Sequence, residues 1–273
     1  MGIVSRSIQM FGFVLAFSFG AADVMARDEG RGVEVGDPSM LRNLVSAEEV
    51  EKIGAMQYRQ VTQTAQKKGQ LLPASHPEVK RVIAIAEKLL PFASKFNLRA
   101  KGWTWEVNVL DANVINAFCM PGGKIALYTG LLKRLQLTDD EVAMIMGHEI
   151  AHALREHARE RMAKSALTNV GAVALGWFTG SDIAGQLARQ GGQLLSLKFS
   201  RDDESESDLI GMEMAARAGY DPRAGVTLWQ KMSKAAKGAP MEFLSTHPSG
   251  PTRIQAIKDS LPDVMPLYEA AKG

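Results

Sequence analysis

The sequence predicts an α+β fold, mostly helical, with one small antiparallel sheet. Three observations carry that prediction. Apolar residues recur at helical spacing behind recognisable caps, residues 103–109 alternate strictly, and a Pro-Gly-Gly turn follows soon after. With 46% apolar and 23% charged residues, the 273-residue chain has ordinary globular composition and enough length for a sizeable core. A net charge of +2, spread evenly, argues against nucleic acid or an anionic membrane surface as partner. No fixed-period repeat or low-complexity tract is present, which excludes a solenoid.

The elements follow in order. Arg6 precedes an apolar run, Ile8 to Phe19, and Val24-Met25-Ala26 supplies small or apolar residues where a signal peptidase reads. Residues 1–26 are therefore expected to be a signal peptide that sends the chain to the periplasm. The run is too short to span a bilayer, which takes roughly 20 apolar residues, and no cysteine follows it to carry a lipid anchor. Residues 27–45, with Gly, Asp, Glu and Pro but no periodicity, predict a flexible N-terminus before a single domain over 46–273.

Ser46-Ala47-Glu48-Glu49 reads as a capping box for a helix to about Lys68. His76-Pro77 opens a second helix, from Glu78 to about Phe96, with Val79, Val82, Ile83, Ala86, Leu89 and Leu90 on one stripe. Trp103, Trp105, Val107 and Val109 alternate with Thr104, Glu106 and Asn108, the pattern of a half-buried strand. Strands over 114–118 and 124–129, joined by Pro121-Gly122-Gly123, would complete the antiparallel sheet.

A second capping box, Thr138-Asp139-Asp140-Glu141, starts a helix expected to reach about Lys164. The stretch from Ala166 to Gly180 is apolar and rich in small residues, fit to pack inside, face a partner or touch a membrane, but too short to cross one. Ser200-Arg201-Asp202-Asp203 caps a further helix that stops at Gly219, with Pro222 beyond, and a last helix follows Pro251. Cys119 is the single cysteine, so there is no internal disulfide; followed by Met-Pro-Gly-Gly, it reads as a small buried apolar residue rather than a nucleophile.

The chemistry concentrates in His148-Glu149-Ile150-Ala151-His152. Residues four apart on a helix face the same way, with Cβ atoms about 5–6 Å apart, so both imidazoles can reach one zinc ion. Glu149, one position on, is rotated off that axis and suits a carboxylate that takes a proton from the attacking water. With five histidines in the chain, chance yields such a pattern in roughly one of 200 shuffled sequences. The turn before it, Val142-Ala143-Met144-Ile145-Met146-Gly147, is apolar almost all round, and polar groups buried there need partners. His157, five residues past His152, falls about 140° around a continuous helix and is expected to be exposed and not a ligand.

A hydrolytic zinc site needs a third protein ligand and an open fourth position. His76 and His247 are the other histidines, and Asp202-Asp203-Glu204-Ser205-Glu206-Ser207-Asp208 supplies carboxylates at the head of a capped helix. Glu204 and Asp208 share a face from which Glu206 points away. Glu204 can bind zinc while Asp208 accepts the ring N–H of a ligating histidine. Spacing favours Glu204 and leaves Asp203 and Glu206 open.

Together these residues resemble the M48 peptidases (Ste24-, HtpX- and Oma1-like enzymes), over roughly Leu71 to Ile257. The resemblance rests on Asn116-Ala117-Phe118 with Pro121-Gly122-Gly123, on the paired-histidine motif, on Phe199 through Asp208, and on His247-Pro248 with Arg253. Where the family usually has Ala-Asp, this chain has Ser207-Asp208, which leaves Glu204 and Asp208 in register. The resemblance implies a zincin-like (gluzincin) metalloprotease domain with one Zn2+ held by His148, His152 and Glu204. It implies catalytic roles for Glu149, His247 and Arg253, with His247 either bonding the oxyanion or occupying zinc's fourth position at rest. It also implies a peptide-binding edge strand at Asn116 and Ala117. Its soluble periplasmic branch implies polypeptide substrates, misfolded or envelope proteins, with outer-membrane proteins and their assembly machinery as partners; an oligomer is compatible with the sequence. The rival reading is a zinc-stabilised periplasmic chaperone or assembly factor with little proteolysis.

Overall fold

The structure, a computed structural model, describes residues 32–173, 194–236, 242–247 and 251–273. The expected signal peptide and residues 174–180 of the apolar 166–180 stretch lie outside the described residues. Ser46 Oγ accepts the Glu49 N–H and starts α1 (Ala47–Lys67). The His76 ring accepts the Glu78 N–H at the head of α2 (Pro77–Leu89), so this histidine serves as a cap. The expected continuous helix to Phe96 is interrupted where Pro91 withholds its N–H. A 3-10 turn (Leu90–Phe92) and a short α3 (Ala93–Phe96) take its place.

The sheet is mixed rather than purely antiparallel. β1 (Glu106–Leu110) pairs parallel with β3 (Lys124–Tyr128), and β2 (Ala117–Met120) pairs antiparallel with β3, giving the order β1-β3-β2. The β2–β3 hairpin forms at Pro121-Gly122-Gly123 as expected, with both glycines at positive φ. It swings so that β3, not β2, lies beside β1. The outer edge of β1 is partly covered by residues 70–72, through Leu72 N–H to Val109 C=O and Asp111 N–H to Gln70 C=O. That leaves β2 as the other edge.

After the short α4 (Thr129–Arg134), the Thr138–Glu141 capping box opens α5 (Asp139–Leu154). This helix ends ten residues short of the expected Lys164. Glu156 takes the left-handed conformation, φ 59°, and the chain restarts as α6 (His157–Val173). Then come α7 (Arg201–Arg217), with its Ser200/Asp203 capping box, α8 (Ala224–Ala236), α9 (Glu242–Thr246) and α10 (Pro251–Lys272).

Helix α5 is buried on nearly every side, between β2 on one flank and α2, α7 and α8 on the others. It approaches α7 backbone to backbone at two glycines. A Cβ on Gly147 would lie 2.7 Å from the Gly211 carbonyl oxygen, and one on Gly211 would lie 2.5 Å from the His148 nitrogen. Both obstacles are backbone, so no rotamer change can relieve them. Glu141 joins α5 to α8: it accepts from the Thr138 N–H at 2.9 Å, the Thr227 hydroxyl at 2.8 Å and the Lys231 ammonium at 2.6 Å. Burial raises the Glu141 carboxyl, and those three donors outweigh it and hold the group below the ordinary glutamate range.

Two outcomes follow from this packing. Helix propensity favours alanine over glycine by about 1 kcal/mol, yet Gly211→Ala should destabilise the protein by about 2–3 kcal/mol in denaturant unfolding, because overpacking against backbone dominates. Glu141→Gln should cost about 1–2 kcal/mol near neutral pH. Since the folded carboxyl is depressed, its contribution is present above its unfolded pKa of about 4.3 and lost as pH falls through the lower folded value. The gap between wild type and variant should therefore close in acid.

Candidate metal centre

The glycine crossing sets α5 and α7 backbone to backbone, and the functional side chains meet beside it. His148 and His152 project from α5 and Glu204 from the first turn of α7, while His247 comes from the residue that follows α9. One donor atom from each of the four lies within 4.8 Å of the others, and all four residues are buried. His148 Nε2 and His152 Nε2 are 3.1 Å apart, and Glu204 Oε1 is 3.3 Å from His152 Nε2. His247 Nδ1 lies 3.0 Å from Glu204 Oε1 and 3.4 Å from His148 Nε2. Zinc–nitrogen bonds of about 2.0–2.1 Å in a tetrahedron place neighbouring ligand atoms about 3.3 Å apart. The donor set and its spacing fit a zinc ion.

Charge gives a second test of that fit. Glu149, Glu204 and Asp208 are buried together, while Arg253 is the buried guanidinium that contacts two of them. Carboxylates so placed need cationic compensation, which a divalent ion supplies. In the protein alone, burial raises the Glu149 carboxyl despite His247, His148 and the Cys119 N–H. Burial holds His152 well below the ordinary histidine range. On Glu204, burial is outweighed by hydrogen bonds from His152 and His247, and the carboxyl is driven far down.

The surroundings fix the rings. Asp208 Oδ1 lies 3.0 Å from His148 Nδ1 and takes the Trp229 indole N–H at 3.3 Å. The sequence placed Asp208 in this position relative to a histidine. Arg253 donates to both Asp208 oxygens at 2.6 and 2.7 Å and to Glu204 Oε2 at 2.5 Å, with its guanidinium 3.6 Å above the Trp229 ring. Phe199 stacks on His152 at 4.0 Å, and Phe243 on His247 at 4.3 Å.

Two expectations change. His157, expected to be exposed, is buried, because the turn at Glu156 ends the helix that would have carried it away. Its Nδ1 lies 2.9 Å from His152 Nδ1, and its Nε2 lies 2.8 Å from Glu206 Oε2. Glu206 does point away from the donor cluster, but toward His157 rather than into solvent. Asn116 and Ala117, expected on a peptide-binding edge strand, which would ordinarily be open to solvent, are buried too. They form one wall of a cleft that reaches Glu149, His152 and His247, with Leu194, Leu195, Leu197 and Phe199 opposite. The Asn116 side chain accepts from the Ala117 N–H and donates to Glu242. Cys119 is buried as expected, its thiol pushed up by burial.

Comparisons with known proteins agree with this geometry. Residues 77–261 match the model of peptidase family M48. The chain is 40% identical over 157 residues to the mitochondrial metalloendopeptidase OMA1 of Arabidopsis thaliana, covering 58% of this chain and 32% of that protein. It is 30% identical over 205 residues to the metalloprotease LoiP of Escherichia coli, covering 74% of this chain and 78% of LoiP. Identity to the β-barrel assembly-enhancing protease of Escherichia coli is 29% over 170 residues, 58% of this chain and 35% of that protein. The chain thus spans about a third of the length of the plant OMA1. On the family match, with the donor cluster in place, the chain belongs to peptidase family M48.

Proposed function

We propose that this chain is a zinc-dependent endopeptidase that holds one Zn2+ through His148, His152 and Glu204. The observation that carries the reading is the convergence of those three buried donors beside the carboxylate of Glu149. Zinc, when bound, supplies the Lewis acidity that polarises the scissile carbonyl and makes water nucleophilic near neutral pH.

The remaining work falls to side chains. Glu149 Oε1 is buried with no hydrogen-bond partner among the described residues, and burial raises the carboxyl. Such a group accepts the proton of an attacking water and returns it to the leaving amine. His247, with Nδ1 among the donors and Nε2 3.6 Å from Glu149 Oε1, would serve as a further donor to the ion in the resting protein, and its ring N–H would be placed to bond the oxyanion of a bound peptide. Arg253, expected at the carbonyl, is committed to Glu204 and Asp208; its role is to hold those two carboxylates. A substrate lies along the edge of β2 at Ala117, where main-chain pairing gives broad sequence tolerance.

The substrates are misfolded or envelope polypeptides, including outer-membrane proteins and their assembly machinery, in the periplasm. Support comes from the N-terminal pattern of a signal peptide and from the similarity to the β-barrel assembly-enhancing protease of Escherichia coli. Among the described residues, no helix is long and apolar enough to cross a membrane.

Casein cleavage and metal analysis test the reading together. Wild type should carry one zinc per chain and lose cleavage on chelation. Glu149→Gln should keep the zinc and lose about 10²–10⁴-fold in rate; equal inactivity of wild type and variant would instead favour the chaperone reading. Zinc should fall away in His148→Ala and in Glu204→Gln, and full occupancy in the latter would remove Glu204 from the ligand set.

A further inference from the structure

His157 is a buried imidazole outside the donor cluster, only 2% exposed, and no step above uses it. Its ring bridges His152 and Glu206, and the proton positions in that bridge can be worked out. Glu206 is paired with Arg155 at 2.6 Å and, as a carboxylate, only accepts. The nitrogen facing it, His157 Nε2 at 2.8 Å, therefore carries hydrogen. A neutral imidazole protonated at Nε2 has its lone pair on Nδ1. With His157 neutral, the single hydrogen between the Nδ1 atoms of His157 and His152, 2.9 Å apart, has to come from His152. Ser207 Oγ, 3.4 Å from the same His157 nitrogen, is a second and longer contact.

The result fixes His152 as the Nδ1–H tautomer. Its lone pair then sits on Nε2, the atom that faces His148 and Glu204 at 3.1 and 3.3 Å. The opposite tautomer would aim a hydrogen into the donor cluster and close Nε2 to a metal. His148 obtains the same orientation directly, from Asp208 at its Nδ1.

The backbone supports this placement. On an unbroken helix His157 would face about 140° away from His152. It turns inward because Glu156 adopts φ 59°, a conformation that costs a non-glycine residue about 1–2 kcal/mol. Glu156 is held there by Arg159 at 2.9 Å and Arg42 at 3.2 Å. Strain of this kind is retained where a functional group has to be aimed.

From this geometry we infer that His157 and Glu206 are positioning residues, which fix the tautomer and orientation of His152 toward the metal. The inference rests on the zinc reading above, and its test separates the two. Zinc affinity is measured by competition with a chromophoric chelator, alongside unfolding of the zinc-free proteins and ring-nitrogen NMR of the histidines. His157→Phe should weaken zinc binding about 10–100-fold, with the His152 signature no longer confined to the Nδ1–H tautomer. His157→Gln, whose amide oxygen can accept from His152, should recover most of that loss. Glu206→Gln should weaken binding about 10-fold.

Wild type that binds no zinc overturns the metal reading itself. Wild type that binds zinc while His157→Phe binds it equally well overturns the relay and leaves the metal reading standing. A loss in His157→Phe that His157→Gln does not restore, with Glu206→Gln unchanged, reduces His157 to a packing residue and also overturns it. If His157→Phe does not fold, His157→Gln and Glu206→Gln decide: tight binding in the first and weakened binding in the second uphold the relay, and any other pairing overturns it.

Discussion

The contact between Gly147 and Gly211 is the constraint on which the site depends. Helices normally pack 8–10 Å apart, at a distance set by their side chains. Here each glycine leaves room for the other helix's backbone, and a single Cβ on either would meet main-chain atoms below 3 Å. Gly147 immediately precedes His148, and Gly211 lies two turns beyond Glu204 on α7. The closeness that the glycines permit is inherited by the donors. Glu204 reaches the histidine nitrogens at 3.3 and 3.6 Å without extending across a gap. A wider crossing would separate the carboxylate from the imidazoles and leave buried Glu204 with fewer partners, which is costly.

Electrostatics explains why this crossing is tolerated in a core. Glu204 stands in the first turn of α7, where the helix's positive end favours an anion. Asp208 lies one turn further in and has no such help, so it draws on Arg253, His148 and Trp229 instead. Arg253 reaches both carboxylates with separate nitrogens while its flat face rests on Trp229. A lysine, with its single point of charge, could not make that set of contacts. The network is therefore built around geometry, and α10 has to dock on α7 for it to exist.

How far this was legible in the sequence depends on whether a signal is local. The capping boxes at Thr138 and Ser200 are four-residue patterns, and both form as read. The histidine pair follows from helical spacing, and spacing favours the Glu204/Asp208 pair while leaving Asp203 and Glu206 open; the family resemblance is what singles out Glu204. The turn at Glu156 gave no such sign. Glutamate has no preference for the left-handed region, and the partners that hold it include Arg42, more than a hundred residues earlier in the chain. With the helix read as continuous, His157 necessarily faced outward. Helix α8 is a different case: Leu228, Trp229 and Met232 do stand at helical spacing, a signal present in the chain and not taken up. The parallel pairing of β1 with β3 lay beyond local reading, since alternation defines a strand but not its neighbour.

That strand order bears directly on the site. Had β2 paired with both neighbours in a simple meander, its two edges would have been consumed by the sheet and β3 would have been exposed instead. Because β3 occupies the centre, β2 keeps one side outside the ladder, and that side faces the cleft beside Glu149 and His152. Every residue of β2 is nonetheless buried, so solvent does not satisfy its outer main-chain groups as it would at an ordinary sheet edge. The wall opposite, Leu194 to Phe199, offers mainly apolar side chains. Two N–H groups of β2 have partners in the protein, Ala117 with the Asn116 side chain and Cys119 with Glu149, so the edge is tied directly to the site. The glycine crossing brings Glu149 and the buried cluster of His148, His152, Glu204 and His247 next to that edge, so strand order and helix packing together shape one cleft.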